Sequence, residues 1–112
     1  MSSPTLHVAT VRHEDEALVM LRGELDLSTA PALAHQLACR EVTQASTVLI
    51  DLERLQFADL AGLDPLVAFA LPERPGLRVS FTPGSPAVRR LLSITGLDGQ
   101  LNVLSAGHLA WH

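Results

Sequence analysis

The sequence predicts a small α/β domain with a mixed, mostly parallel sheet, an N-terminal antiparallel hairpin, and helices in right-handed βα crossovers. Three observations carry that expectation. The run Thr47-Val48-Leu49-Ile50-Asp51-Leu52 is short, apolar and rich in β-branched residues, as in a strand buried on both faces of a sheet. Two segments pair a capping residue with an early proline, Ser28-Thr29-Ala30-Pro31 and Ser85-Pro86, as helix starts do. After the opening hairpin, strand-like and helix-like segments alternate along the chain.

Taken in order, residues 5–12 alternate imperfectly and read as a half-exposed edge strand. His13-Glu14-Asp15-Glu16 is a polar turn, and residues 17–22 form the next strand, antiparallel to the first because the connection is short. Residues 23–29 break that strand. With Ser28 or Thr29 as N-cap and Pro31 in the first turn, Leu33, Leu37 and Ala38 recur at helical spacing to about Glu41. The central strand at 47–52 follows, with Asp51 expected to end it and face the loop rim.

Asp59 is suited to cap the next helix. Pro65, however, would then lie in the second turn, where a proline costs roughly 3 kcal/mol. Asp64 as cap with Pro65 as the first helical residue removes that cost. The regular helix is therefore expected to start near Asp64, leaving residues 59–63 as a turn or kinked first turn, and to end at Pro72. Residues 77–81 alternate as a strand between the turn signals Pro75-Gly76 and Pro83-Gly84. Ser85 and Pro86 begin a helix whose buried side is Val88, Leu91, Leu92 and Ile94, and Gly96 ends it. Residues 101–104 are expected as a last short strand, with Ser105 onward a final helical turn carrying Trp111.

At 112 residues, the chain reads as one domain, 1–112, with room for one core, and its 47% hydrophobic content fits a globular protein. A net charge of −4, with Arg89-Arg90 as the only adjacent basic pair, argues against nucleic acid as partner. Cys39 is alone, so no internal disulfide can form; within a helical pattern it reads as a packing residue in a reducing compartment. Met1-Ser2-Ser3-Pro4 does not resemble a signal peptide, and the longest apolar run, 66–71, is far short of the ~20 residues of a membrane span. A cytoplasmic protein without direct membrane insertion is expected.

The segments Gly23-Glu24-Leu25-Asp26 with Thr29-Ala30-Pro31-Ala32-Leu33, Val48-Leu49-Ile50-Asp51-Leu52, Phe57-Ala58-Asp59 with Gly62-Leu63, and Val88-Arg89-Arg90-Leu91-Leu92 with Thr95-Gly96-Leu97 occur in this order over nearly the whole chain. Together they resemble the STAS domain, the module named for sulphate transporters and anti-sigma-factor antagonists. The resemblance implies a bacterial regulator of transcription that works by partner switching. Such an antagonist binds an anti-sigma factor that is also a serine kinase, and is phosphorylated on the residue after the family's aspartate. A phosphoserine adds about −1.5 to −2 charges and expels the partner. Aligning on Asp59 and Gly62 puts Leu60 at the phospho-acceptor position and Ala61 beside it, and neither has a hydroxyl. Three consequences are open: a constitutive antagonist, regulation elsewhere, or a different partner. The alternative within the same resemblance is an accessory module of a lipid or anion transport complex.

The resemblance places the partner-binding surface at Asp26, Ser28, Thr29, Asp59, Leu60, Ala61 and Gly62. Leu60 reads either as the first member of a buried stripe with Leu63, Leu66 and Val67, which is preferred because leucine is generally buried, or as an exposed apolar anchor. Ser28 and Thr29 are caps first and substitute acceptors second. Asp26 and Asp59 as paired catalytic carboxylates lack any accompanying histidine, lysine or phosphate loop, so binding rather than catalysis is expected. His7, His13, His35, His108 and His112 are scattered without zinc-site spacing, and no glycine-rich nucleotide motif occurs, so neither metal nor cofactor is expected. The 5–12 edge strand offers a surface for homodimer formation with a second copy.

Overall fold

The structure is a computed structural model and describes residues 5–105. Strands β1 (Leu6–His13) and β2 (Glu16–Leu25) form the antiparallel hairpin, turned through Glu14 at a positive φ of 54°. Two helices follow, α1 (Ala30–Leu37) and the single turn α2 (Arg40–Thr43). Strand β3 (Thr47–Ala58), helix α3 (Leu60–Ala70), strand β4 (Arg78–Phe81) and helix α4 (Pro86–Thr95) complete the order, with a 3₁₀ turn at Leu97–Gly99. The sheet runs β1-β2-β3-β4, with β2, β3 and β4 mutually parallel. The mixed α/β architecture is thus as the sequence predicts.

The core follows from the two-residue period of strands. Ala17, Val19 and Leu21 of β2, Val48, Ile50 and Leu52 of β3, and Phe81 of β4 gather in one cluster with Leu33, Leu37, Leu63, Leu66, Val88 and Leu92 of the helices. The alternate positions Leu18, Met20 and Arg22 stay outside that cluster. The helices therefore stack on one face of the sheet, and the other face carries His7, Ala9 and Val11 exposed on β1. No helix among the described residues is long and apolar enough to cross a membrane.

Several elements differ from expectation. Strand β2 does not break at 22: Gly23, with φ 109°, keeps the pairing, because Glu24 N–H donates to Thr5 O at 2.9 Å and a Cβ on Gly23 would stand 2.2 Å from that oxygen. Strand β3 likewise continues six residues past the expected end at 52, through two register shifts against β2. Asp51 is consequently mid-strand rather than at the rim; it accepts hydrogen bonds from Glu53 N–H and the Thr82 hydroxyl. The helix expected to reach Glu41 stops at Leu37, with Cys39 extended (ψ 160°) ahead of α2 and partly buried against the core.

Helix α3 starts at Leu60, not near Asp64, and Pro65 lies inside it. Asp59 caps Gly62 N–H at 2.8 Å, Leu63 N–H reaches Asp59 O at 3.1 Å, and Leu63 and Leu66 are buried, which together outweigh the missing Pro65 donor. Ser85 precedes α4 but does not cap it; its hydroxyl donates to Leu55 O at 2.6 Å. Val88 and Leu92 are buried as expected, whereas Ile94 is 76% exposed. At 100° per residue it points about 160° away from the buried Leu92, on the far side of the helix. Gly96 ends α4 at a φ of 76°. Residues 101–104 make only one bridge, Val103 to Phe81, in place of a strand. The final turn carrying Trp111, and the histidines 108 and 112, lie outside the described residues.

Candidate protein-docking face

Because β2 and β3 are parallel and pair as far as Leu25 and Ala58, the chain leaves both strands at the same end of the sheet. Two loops therefore meet there. Asp59 N–H donates to Leu25 O at 3.1 Å, and Gly62, on the first turn of α3, lies so close that a Cβ on it would stand 2.1 Å from the same oxygen. Only glycine permits that approach, which brings residues 26–29 beside residues 59–62.

The first loop is held by one carboxylate. Asp26 Oδ1 accepts from the Ser28 hydroxyl at 2.7 Å, Ser28 N–H at 2.9 Å and Thr29 N–H at 3.1 Å. The Ser28 hydroxyl bond is the main reason the carboxyl is held below its ordinary range; burial opposes, and the Thr29 and Ser28 amides and the Thr29 hydroxyl reinforce. Thr29, buried at the N-cap position of α1, does not cap the helix. Its Oγ1 accepts from Asp26 N–H and donates to Glu24 O, both at 2.9 Å. The capping expected of Ser28 or Thr29 thus falls to Asp26, whose side chain and carbonyl satisfy the amides of Ser28, Thr29 and Ala30. Pinned at both ends, the loop presents Leu27, 74% exposed.

On the second loop Leu60 is 59% exposed, which overturns the preferred reading of it as buried. It is the first residue of α3 and stays in solvent, while Leu63 and Leu66 further along the helix are buried in the core. Ala61 is half-buried and Gly62 buried. Two residues that sequence reasoning missed join the rim: Leu27, and Phe57, 48% exposed at the end of β3. Phe57 lines a groove of about 470 Å³ with Arg90 and Ile94 of α4. The signal for Leu27 was present in an apolar residue flanked by Asp26 and Ser28, both committed to a turn.

Both carboxylates at this rim already accept backbone hydrogen bonds, so their geometry is that of loop and helix caps. Among the described residues no group of three or more His, Cys, Asp or Glu side chains stands where it could hold a metal ion. What the arrangement offers is two rigid reversals, each carrying an exposed leucine beside an acid. Large apolar groups held rigidly in water are what protein partners bury.

Comparison with known proteins agrees with this architecture. The family model described as Mlab, STAS domain, matches residues 8–105. Anti-sigma-F factor antagonist RsfB of Mycobacterium tuberculosis is 30% identical over 111 residues, spanning 96% of this chain and 89% of that protein. The crystal structure of an anti-sigma factor antagonist from Mycobacterium paratuberculosis superposes with a TM-score of 0.82 at 26% identity, covering 95% of this chain and 92% of that one. The phosphorylated form of the Bacillus cell fate determinant SpoIIAA, at 18% identity and a TM-score of 0.58, covers 92% of this chain and 94% of its own and shares the fold. With the family match spanning most of its length and the two exit loops meeting above the parallel strands, the chain belongs to the STAS domain family.

Proposed function

We propose that this protein is an anti-sigma-factor antagonist, a cytoplasmic regulator that acts by binding and not by catalysis, and that it docks on an anti-sigma factor of the serine kinase type through residues 26–29 and 59–62. The observation that carries the reading is the exposure of Leu27 and Leu60 on two loops pinned together by Leu25 and Gly62, in a chain similar over nearly its full length to a protein of that name. In this reading the leucines are the anchors, and Asp26 and Asp59 set the loops that carry them.

The same reading makes the protein constitutive at the rim of α3. Leu60 and Ala61 offer no oxygen to a kinase, so the charge that would expel a partner cannot be added there. The test is to purify the chain from its source cell, identify the copurifying protein, and incubate the purified pair with ATP. Recovery of an anti-sigma factor whose complex survives ATP supports the proposal. Recovery of a transport ATPase or permease subunit instead moves the chain to the accessory-module reading. Phosphate found by mass spectrometry at Ser28 or Thr29, with loss of the complex, replaces constitutive action by regulation through the first loop.

A further inference from the structure

The face of the sheet away from the helices carries an arrangement that the docking rim does not use. His7 of β1 pairs with Arg22 of β2, and Arg22 pairs in turn with Arg54 of β3. Residues directly opposite on neighbouring strands project from the same face, so three basic side chains stand in a row across three strands. Two guanidiniums directly opposite each other weaken a sheet. Neither Arg22 nor Arg54 makes an ion pair or a side-chain hydrogen bond among the described residues. Asp51, on the same face, is already engaged by the Thr82 hydroxyl and Glu53 N–H, and Glu24 is turned toward Thr5 N–H.

All three basic residues, with Ala9, Met20 and Asp51, line a groove of about 330 Å³. That volume suits a small molecule rather than a protein segment. Its apolar lining includes Ala9 and Met20, and Asp51, paired with Met20, adds one carboxylate. In a chain of net charge −4, two adjacent arginines on one sheet face, with one carboxylate, Asp51, in the same groove, are a local excess of positive charge that stability does not explain.

We infer that the groove between His7, Arg22 and Arg54 on the uncovered sheet face is a binding site for a small organic polyanion, one bearing paired phosphate or carboxylate groups. Guanidinium groups match such groups in pairs of parallel hydrogen bonds, and two arginines side by side fit two adjacent anionic centres. A short apolar body on the ligand would lie over Met20 and Ala9. The site uses none of the rim-loop residues and stands whether or not the partner proposal holds.

The test uses pyrophosphate and citrate as probes, titrated into the isotope-labelled full chain while backbone amide resonances are followed. Saturable shifts centred on residues 7, 22 and 54 with either probe, weakened at least tenfold in R22Q/R54Q, are the expected result. The glutamine variant keeps much of the aliphatic cover of the sheet, and R54Q alone serves if the double variant is unstable, with an intermediate loss. Absence of saturation by both probes at 10 mM, or equal shifts in wild type and variants, overturns the proposal. Anti-sigma-factor binding by the same variants should be unchanged, so failure of this site and failure of the docking face are read separately.

Discussion

The Cα of Gly62 at the start of α3 packs against the backbone of Leu25 at the end of β2, leaving no room for a methyl group between them: a Cβ would lie 2.1 Å from the Leu25 oxygen and 2.7 Å from Asp26 N. The contact joins the two loops of the proposed docking face, so its loss should be felt in both stability and binding. Gly62→Ala is expected to destabilise the fold by about 2–3 kcal/mol, since backbone has to move to admit the methyl. Urea denaturation measures this, and a cost below about 0.5 kcal/mol would mean that the loops are not held together there.

Asp59 contributes through its carboxylate at the N-cap of α3. Asp59→Ala should cost about 1 kcal/mol, and Asp59→Ser, which keeps an acceptor oxygen, only a fraction of that. Equal losses in the two variants would show that the 2.8 Å bond to Gly62 is not what sets the helix start.

Pro65 predicts an effect of opposite sign. It sits in the interior of α3, where it leaves the Ala61 carbonyl without its helical donor. Pro65→Ala should raise stability by about 1–2 kcal/mol, less than the full ~3 kcal/mol of a helix-interior proline because the alanine chain gains freedom when unfolded. A lower thermal midpoint for the variant would contradict this.

The Asp26 turn has a pH signature. Its carboxyl is held below the ordinary value of 3.8 by the Ser28 hydroxyl and the loop amides, so the folded state binds the proton less readily than the unfolded one. The turn's contribution is therefore full above about pH 4 and is lost as the pH falls through the folded value, below 3.8. Asp26→Asn should be less stable than wild type at neutral pH, with a difference that shrinks on acidification below pH 4. A difference independent of pH would assign the loop's stability elsewhere.

Much of this was legible before the structure. The apolar run at 48–50, the proline-marked starts of α1 and α4, and Gly96 as a helix stop all act through local chemistry, and each is found as read. The misreadings arise where a long-range contact overrides a local preference. Gly23 looks like a strand breaker, yet its positive φ is what lets β2 run on beside Thr5. Pro65 argues for a late helix start, and tertiary burial of Leu63 and Leu66 overrules it. Thr29 is an apt cap by type, but its hydroxyl is taken by the Glu24 carbonyl across the turn. Leu60 could not be placed from composition, because a leucine at the first position of a helix faces the core or the solvent according to how that helix is laid on the sheet. The row His7, Arg22, Arg54 is invisible until strand register is known.

The proposed docking face is tested most directly by titrating an anti-sigma factor recovered with the chain against wild type and against L27D/L60D. Both substitutions are at exposed positions, so circular dichroism and thermal midpoint should be close to those of wild type. If each leucine is a buried anchor in the complex, its loss costs about 2 kcal/mol or more, and the double variant should bind roughly a thousandfold more weakly. Affinity within threefold of wild type would place the partner on some other surface and contradict the docking face described for these two loops.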